Sequence, residues 1–245
     1  MSAAPPRPDE NRGSCVVDET GRAPAAAGDD APDPLDGDER LPEYFGTAWP
    51  QVERFHRMLV EEGELRGLIG PREVGRLWER HLLNSAAVVP YLPSTGVIVD
   101  VGSGAGLPGV VVAAMRPEAE VVLVEPMERR TTWLEDVVAA TGLGNVTVRR
   151  ARAQELDGAL EADAVTARAV AALDKLFRWT VPLVRTGGTV VALKGSRARD
   201  ELAAAGSVVR KLRLVETAVH EARTLPGLDP TYVVTAVRGG SGDVR

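Results

Sequence analysis

The chain has 245 residues, of which 44% are hydrophobic and 26% are charged, and it carries a formal net charge of −6. This composition is that of an ordinary globular domain and excludes a wholly disordered or collagen-like chain. It contains no run of about 18 uninterrupted apolar residues, which argues against a membrane-spanning helix. The single cysteine, Cys15, rules out an internal disulfide and fits a reducing, cytoplasmic location.

Charge is distributed unevenly along the chain. Residues 1–40 contain ten acids and four arginines, whereas residues 41–245 contain 25 acids and 25 basic residues. The first segment also contains six prolines and almost no large apolar residue, so it cannot bury enough surface to offset the entropy of ordering. We therefore predict that residues 1–40 form a disordered acidic tail, with a docking or regulatory role as the alternative, and that residues 239–245 are flexible. Because the charges of residues 41–245 balance, this part of the chain can still carry a local basic face.

Residues 41–93 are predicted to form a helical cap. Apolar residues recur at helical spacing over 52–60, and Pro71 is typical of the first turn of a second helix. The apolar stripe of that second helix consists of Val74, Leu77, Trp78, His81 and Leu82. A third short helix is predicted over 85–89. A histidine on such a stripe is usually a packed core residue, and the alternative is that His81 and its neighbours line the mouth of a cleft.

From residue 97 onward, short apolar segments alternate with helical ones. Strands are predicted over 97–101, 121–125, 146–148, 164–166 and 189–193, and helices over 110–115, 127–141 and 172–184. Two late strands, near 208–216 and 231–237, are predicted to close the sheet as an antiparallel hairpin. Because repeated βαβ units make right-handed crossovers, 94–238 is predicted to be an α/β domain with a mostly parallel, doubly wound sheet.

A glycine-rich turn follows the first predicted strand. It contains a G-x-G-x-x-G pattern that begins at Gly104 and Gly106, which alone is a weak sign of a dinucleotide site. Asp100 precedes Gly102 by two residues, close to where a diphosphate would add negative charge. Glu125 ends the next strand, about 20 residues further on, where a carboxylate can accept hydrogen bonds from both ribose hydroxyls. The pattern thus places two acids around a wide glycine turn.

Two acids around a glycine turn favour a cofactor that carries a cation and no phosphate. S-adenosylmethionine has a sulfonium and an ammonium group that tolerate nearby carboxylates, and its slim chain allows close approach of a glycine backbone. We therefore predict S-adenosylmethionine as the cofactor and S-adenosylhomocysteine as its product. A nicotinamide dinucleotide and a purely structural turn are the alternatives.

Several further motifs occur in a fixed order around this turn. They are LWERH at 77–81, NS at 84–85, DVGSGAGLPG at 100–109, EPMERR at 125–130, RAQ at 152–154, RAVA at 168–171 and ALKG at 192–195. In this order they resemble the bacterial small-subunit ribosomal RNA guanine-N7 methyltransferases, the glucose-inhibited division protein B family. The resemblance spans about residues 41–238. Its most specific parts are the Gly-Leu-Pro-Gly end of the turn and the Arg-Ala-Val-Ala segment.

The resemblance implies a Rossmann-like class I methyltransferase that methylates N7 of a guanine in 16S rRNA, guanine 527 in the conserved loop near the decoding site. The implied cofactor residues are Gly102, Leu107, Glu125, Ala153, Gln154 and Arg168, to which the turn adds Asp100, Gly104 and Gly106. The chain departs from the family at Asn84, where an aspartate is common, and at Gln154, where an acid is common. An amide can still form hydrogen bonds at both positions.

The target atom determines the chemistry that the site needs. Guanine N7 carries an in-plane lone pair and no proton at neutral pH, so it can attack the sulfonium methyl without a general base, and the protein mainly positions the reactants. Arg168, Lys194 and His81 are the candidate catalytic residues. N7 faces the major groove, which is deep and narrow in an RNA helix, so the target base is expected in a loop. Candidate RNA contacts are Arg129, Arg130, Arg149, Arg150, Arg152, Lys194, Arg197 and Arg199, many of which could instead be ordinary surface charges.

Two rival functions remain at this stage, a small-molecule methyltransferase and a non-catalytic rRNA-binding assembly factor. The three histidines, His56, His81 and His220, are too scattered to indicate a metal site. The expected partner is 16S rRNA or the small ribosomal subunit, and we expect a monomer that does not contact a membrane.

Overall fold

The computed structural model of the protein describes residues 32–240. These residues form a seven-stranded sheet with helices on both faces, preceded by a helical segment. The strands are β1 (Gly96–Val101), β2 (Ala119–Val124), β3 (Val146–Arg149), β4 (Ala162–Arg168), β5 (Val184–Lys194), β6 (Leu214–Ala222) and β7 (Thr231–Arg238). Their order across the sheet is β3-β2-β1-β4-β5-β7-β6.

Eight α-helices accompany the strands in this part of the chain. They are α1 (Arg40–Phe45), α2 (Trp49–Glu62), α3 (Asn84–Ala86), α4 (Gly109–Met115), α5 (Glu128–Thr141), α6 (Leu173–Thr180), α7 (Ala198–Ala204) and α8 (Gly206–Lys211). A π-helical turn at Trp78–Leu83 leads into α3. Short 3-10 turns lie at Gly46–Ala48, Pro71–Arg76, Val89–Tyr91, Ala153–Leu156 and Val181–Leu183.

The topology confirms the predicted doubly wound, mostly parallel sheet. Strands β1 to β5 pair in parallel, and β7 runs antiparallel to both β5 and β6. The predicted strand over 208–216 is wrong in its first half, because residues Gly206–Lys211 form α8 and β6 begins only at Leu214. A run as short as Val208-Val209 fits a buried helix turn as well as a strand, and periodicity cannot separate the two.

The hydrophobic core lies on both faces of the sheet. Successive side chains of a strand point to opposite faces, so Ile98 packs with the helical cap, α4 and α5, whereas Val99 packs with α6 and the helices after it. Phe55 of α2 is fully buried in the first cluster and Phe177 of α6 in the second. The cap is therefore one of the layers that cover the sheet.

The predicted cap is helical, but its second helix differs from a regular α-helix. Residues Pro71–Arg76 form a 3-10 turn, and the following Trp78–Leu83 turn is π-helical. Gly75 lies inside the first of these turns, and glycine weakens an α-helix by about 1 kcal/mol relative to alanine. The predicted third helix is also shorter, because α3 ends at Ala86.

Residues 32–40, predicted to be part of the acidic tail, pack against the rest of the fold. Leu35 is buried in the core, and Asp33 is buried with its carboxylate 2.9 Å from the backbone N–H of Trp78. Asp36 accepts a hydrogen bond from the indole N–H of Trp78 at 2.9 Å. These acids have fixed partners, which net charge and composition do not reveal. The rest of the predicted tail, 1–31, and residues 241–245 lie outside the described residues. Within 32–240, none of the helices has the length and apolar character needed to span a lipid bilayer.

Candidate active site

A cleft of about 480 Å³ opens at the carboxyl ends of β1, β2 and β4. Strand order reverses between β1 and β4, which is where doubly wound sheets bind their ligands. Predicted cofactor residues that line this cleft are Gly102, Glu125, Ala153, Gln154 and Arg168. The lining also includes Met127, Val170 and Trp179, which the sequence analysis did not select.

The glycine turn is built from left-handed backbone conformations. Gly102, Gly104 and Gly106 have φ angles of 72°, 54° and 105°, which glycine adopts at little cost. A Cβ on Gly102 would lie 2.8 Å from a methyl carbon of Val170, on the wall of the cleft. A Cβ on Gly106 would instead lie 2.8 Å from Val110 in the core. Gly102 therefore keeps the cleft open, whereas Gly106 allows the turn to pack against α4.

Asp100 stabilises the glycine turn through a buried hydrogen bond and is not among the residues that line the cleft. Its side chain is fully buried, and one carboxylate oxygen accepts the backbone N–H of Gly109 at 3.1 Å. Burial raises the pKa of Asp100 to about 7, and the hydrogen bond from Gly109 opposes this rise. Leu107 is also buried and packs in the core cluster. Direct contact of Asp100, Gly104, Gly106 and Leu107 with a cofactor stays a prediction.

Glu125 follows β2 and presents its carboxylate to the cleft. One oxygen accepts the backbone N–H of Gly104 at 3.0 Å, and the other accepts that of Met127 at 3.0 Å. The guanidinium of Arg130 lies 3.8 Å away. Each carboxylate oxygen can accept two hydrogen bonds, so both keep capacity for a further donor. The turn thus fixes the orientation of an acid that can accept from a diol.

Arg168 ends β4 and connects the sheet to the helical cap. Its Nη2 lies 2.6 Å from Nδ1 of His81, and its Nη1 donates to Oδ1 of Asn84 at 3.2 Å and to the backbone oxygen of His81 at 3.3 Å. Nε2 of His81 lies 2.8 Å from a carboxylate oxygen of Glu73. Asn84 donates to the hydroxyl of Thr231 on β7 at 2.9 Å. Burial lowers the pKa of Arg168 to about 10, so its guanidinium stays charged at neutral pH.

The other two candidate catalytic residues lie in different surroundings. Lys194, at the end of β5, lines a second cavity of about 330 Å³ that also includes Arg168 and Ala169. Its Nζ donates to the backbone oxygen of Ala171 at 2.6 Å and to the carboxylate of Glu201 at 2.8 Å. His81 is buried, and its ring contacts Arg168 and Glu73. Lys194 thus contacts the loop after β4, and His81 contacts the cleft residue Arg168. A catalytic role of either residue stays a prediction.

Two of the predicted RNA-binding arginines, Arg130 and Arg152, line the cofactor cleft. Arg129, Arg197 and Arg199 are exposed, and Arg199 lies 3.5 Å from Glu221. Arg130 is partly buried and lines the cleft. Arg150 and Arg152 form surface ion pairs with Glu128 and Glu155, and Arg149 is exposed. Their contacts with RNA stay a prediction.

The cleft suits S-adenosylmethionine in shape and in charge. Gly102 leaves its floor free of a side chain, and the carboxylate of Glu125 is available to the ribose hydroxyls. Ala153 and Gln154, in the 3-10 turn after β3, line the same cleft, and their contact with the adenine stays a prediction. Within residues 32–240, no cluster of three His, Cys, Asp or Glu side chains is arranged to hold a metal ion.

Comparison with solved structures identifies the same fold. The chain superposes on a SAM-dependent O-methyltransferase from Thermotoga maritima with a TM-score of 0.54 and 17% identity, over 76% of this chain and 73% of that one. It superposes on TYW2 from M. jannaschii, solved in complex with AdoMet, with a TM-score of 0.50 and 17% identity, over 64% and 74% of the two chains. At this level of identity the likeness establishes the fold alone.

Sequence comparison is more specific. A relative from Beutenbergia cavernae is 51% identical over 190 residues, which is 78% of this chain and 90% of the relative. A relative from Streptomyces avermitilis is 46% identical over 211 residues, which is 84% and 88% of the two chains. Both are named "Ribosomal RNA small subunit methyltransferase G". The sequence model of that family matches residues 49–225, so the chain belongs to the rRNA small subunit methyltransferase G family.

Proposed function

We propose that the protein transfers the methyl group of S-adenosylmethionine to N7 of a guanine in 16S rRNA, guanine 527 in the loop near the decoding site. The observation that carries this proposal is the position of Arg168. Together with Ala169 it lines both the cofactor cleft and the adjoining cavity of about 330 Å³, which is large enough to admit a base edge. A residue between two such cavities can orient one reactant against the other.

The donors of Arg168 support a role in holding the base. A guanidinium has five N–H groups, and the contacts with His81 and Asn84 use three of them. The Nε–H and one Nη2–H remain for a ligand. Donation to the guanine O6 would orient the base and leave the neighbouring N7 lone pair free.

The cofactor supplies an electrophilic methyl group on a sulfonium. Gly102, Glu125 and Gln154 would hold it in the cleft, and Arg168 would present the base beside it. With the cofactor bound, the N7 lone pair would bond to the methyl carbon as the C–S bond breaks, and the electron pair of that bond would stay on sulfur. Because N7 bears no proton, the step needs no general base. Alignment of N7 with the methyl group and the sulfur accounts for much of the rate acceleration.

The experiment is methylation of 16S rRNA and of small subunits that lack the modification, with methyl-labelled S-adenosylmethionine and digestion to nucleosides. We expect label in N7-methylguanosine with the wild-type protein and none with Gly102→Asp. Arg168→Ala should lower the rate in a protein that still folds, although the loss of its hydrogen bonds to His81 and Asn84 lowers the melting temperature. Label in another nucleoside, or an Arg168→Ala protein as active as the wild type, would contradict the proposal.

Two further parts of the proposal concern the setting of the reaction. An rRNA substrate and a single cysteine support a cytoplasmic location. The second part is that the protein acts as a monomer. Light scattering of the purified protein, alone and with RNA, tests the second point, because a dimer would double the measured mass.

A further inference from the structure

A chain of polar contacts connects the helical cap to the active site. It runs from Glu73, in the 3-10 turn of the cap, to His81 at 2.8 Å, and from His81 to Arg168 at 2.6 Å. His81 is 8% exposed and Glu73 is about one-third exposed at its side chain. The contacts join residues separated in sequence by 8 and by 87 positions, so the fold must bring them together.

The hydrogen-bonding chemistry of these groups leaves one arrangement. An arginine side chain has donors and no acceptor, so Nδ1 of His81 must accept the hydrogen bond from Arg168. The hydrogen of a neutral imidazole then resides on Nε2, which donates to the carboxylate of Glu73. The tautomer of His81 is thereby fixed from both sides, by a cation at one nitrogen and an anion at the other.

We propose that Glu73 and His81 are positioning residues for Arg168: neutral His81, with its hydrogen on Nε2, accepts from the guanidinium and is held in place by Glu73. This inference rests on the proposed function, in which Arg168 orients the base. It assigns the cap a part in the reaction without direct contact with substrate. Three N–H groups of Arg168 donate to the cap, so the Nε–H and one Nη2–H stay available to a ligand.

Protonation of His81 would break this arrangement. A hydrogen on Nδ1 would face an N–H of Arg168 across 2.6 Å, donor against donor. The charged groups around the ring are Arg168 on β4, and Glu73 and Arg80 on the cap. Burial, followed by the charge of Arg168, lowers the pKa of His81 below its ordinary value of 6.5, and Glu73 opposes this shift. The ring therefore stays neutral at pH 7, and catalysis should decline in acid as His81 becomes protonated.

The tautomer can be measured directly, without substrate. The chain has three histidines, so nitrogen-15 spectra of the histidine-labelled full-length protein contain three ring patterns, and His81→Asn identifies one by its loss. We expect that ring to show a hydrogen on Nε2 and a bare Nδ1 at pH 7, and to titrate below 6.5. A hydrogen on Nδ1, or a charged ring at pH 7, would overturn the inference.

A matched pair of substitutions separates the two contacts of His81. Asparagine places its side-chain oxygen near the former Nδ1, so His81→Asn keeps an acceptor for Arg168. Glutamine reaches the former Nε2 position, so His81→Gln keeps a partner for Glu73 and loses that acceptor. We expect kcat for His81→Gln to fall at least tenfold below that for His81→Asn, while the Kd for S-adenosylmethionine changes less than threefold in both.

The carboxylate is tested in the same assay. Glu73→Gln should lower kcat three- to tenfold and weaken the acid decline of the pH profile, whereas Glu53→Gln, which removes a surface partner of Arg57, should change neither. Melting temperatures identify any variant that is merely unfolded. If a His81 variant is unfolded, the nitrogen-15 spectra of the His81 ring in the wild-type protein and in Glu73→Gln decide in place of its kinetics.

The outcomes distinguish this inference from the function on which it rests. If the wild-type protein methylates guanine N7 and the two His81 variants are equally active, the positioning role is wrong and the function stands. If the wild-type protein leaves guanine N7 unmodified on both RNA and subunits, the function fails, and with it the role assigned to His81.

Discussion

Replacing Gly102 with alanine should weaken cofactor binding through one identifiable contact. The added Cβ would lie 2.8 Å from a methyl carbon of Val170, a separation that real Cβ atoms essentially never show. Val170 lines the cofactor cleft, so relief of the contact pushes its side chain into the space that the cofactor needs. When the cofactor binds, it must push Val170 back against the Cβ of Ala at position 102. The free energy of this steric contact then raises the Kd.

The magnitude follows from two separate effects. The left-handed backbone at φ 72° costs alanine about 1–2 kcal/mol, which lowers stability whether or not cofactor is present. Overpacking against a neighbouring side chain costs about 1–3 kcal/mol, and only this part opposes binding. Since about 1.4 kcal/mol corresponds to a factor of ten, the Kd should rise by about 5- to 150-fold.

Calorimetric titration with S-adenosylmethionine measures the effect, and Gly104→Ala is the matched control. Gly104 is also left-handed, with a φ of 54°, but the nearest atom to its Cβ would lie 3.7 Å away. It should therefore lose stability with a much smaller change in Kd. Adding Val170→Ala to Gly102→Ala removes the contacting methyl and should restore most of the affinity. A Gly102→Ala protein with wild-type Kd, or a double variant without recovery, would refute the reasoning.

Three further substitutions test the supports of the site. Asp100→Asn should flatten the pH dependence of stability. The folded chain retains a proton on Asp100 up to about pH 7, whereas the unfolded chain releases it near pH 3.8. The wild-type free energy of unfolding therefore falls as the pH rises between these values, by at most about 1.4 kcal/mol per pH unit. Urea titrations of both proteins at several pH values measure this, and parallel curves would contradict it. Lys194→Met should lower the free energy of unfolding by about 1–3 kcal/mol, because the bonds to Ala171 and Glu201 are lost; unchanged stability would mean that Lys194 is free for substrate. Asp33→Ala should cost about 1–2 kcal/mol in the same assay, because the N–H of Trp78 loses its partner, and an unaffected protein would show that this segment does not anchor the cap.

The sequence predicts the sheet well because its strands carry a strong local signal. Residues 97–101 and 121–125 are nearly continuous apolar runs, as expected of buried parallel strands, and they correspond to β1 and β2. The error over 208–216 arises where that signal is weak, since two adjacent valines suit a helix and a strand equally. Local patterns therefore identify elements most reliably where burial is continuous.

The site could be predicted only in part, because much of it depends on contacts between distant residues. Gly102, Glu125 and Arg168 follow strand ends, which topology alone places at one edge, and all three line the cleft. Glu73 and Thr231 could not be found in this way, since they join the site through His81 and Asn84, and Thr231 lies 147 positions from Asn84. Trp179 could have been selected as a candidate cleft residue, because it is an aromatic residue in the helix that follows β4.

The position of β7 in the sheet constrains how the chain can fold during synthesis. Within residues 32–240, strand β6 pairs with β7 alone, and β7 lies between β6 and β5. Strand β6 therefore has no partner in the sheet until residues Thr231–Arg238 have emerged. Thr231 on that last strand also holds Asn84 beside Arg168. Domains generally begin to fold from the amino terminus as they are made, yet this active site stays incomplete until the final strand is available. The hydrogen bond between Asn84 and Thr231 can therefore form only after residues 231–238 have left the ribosome.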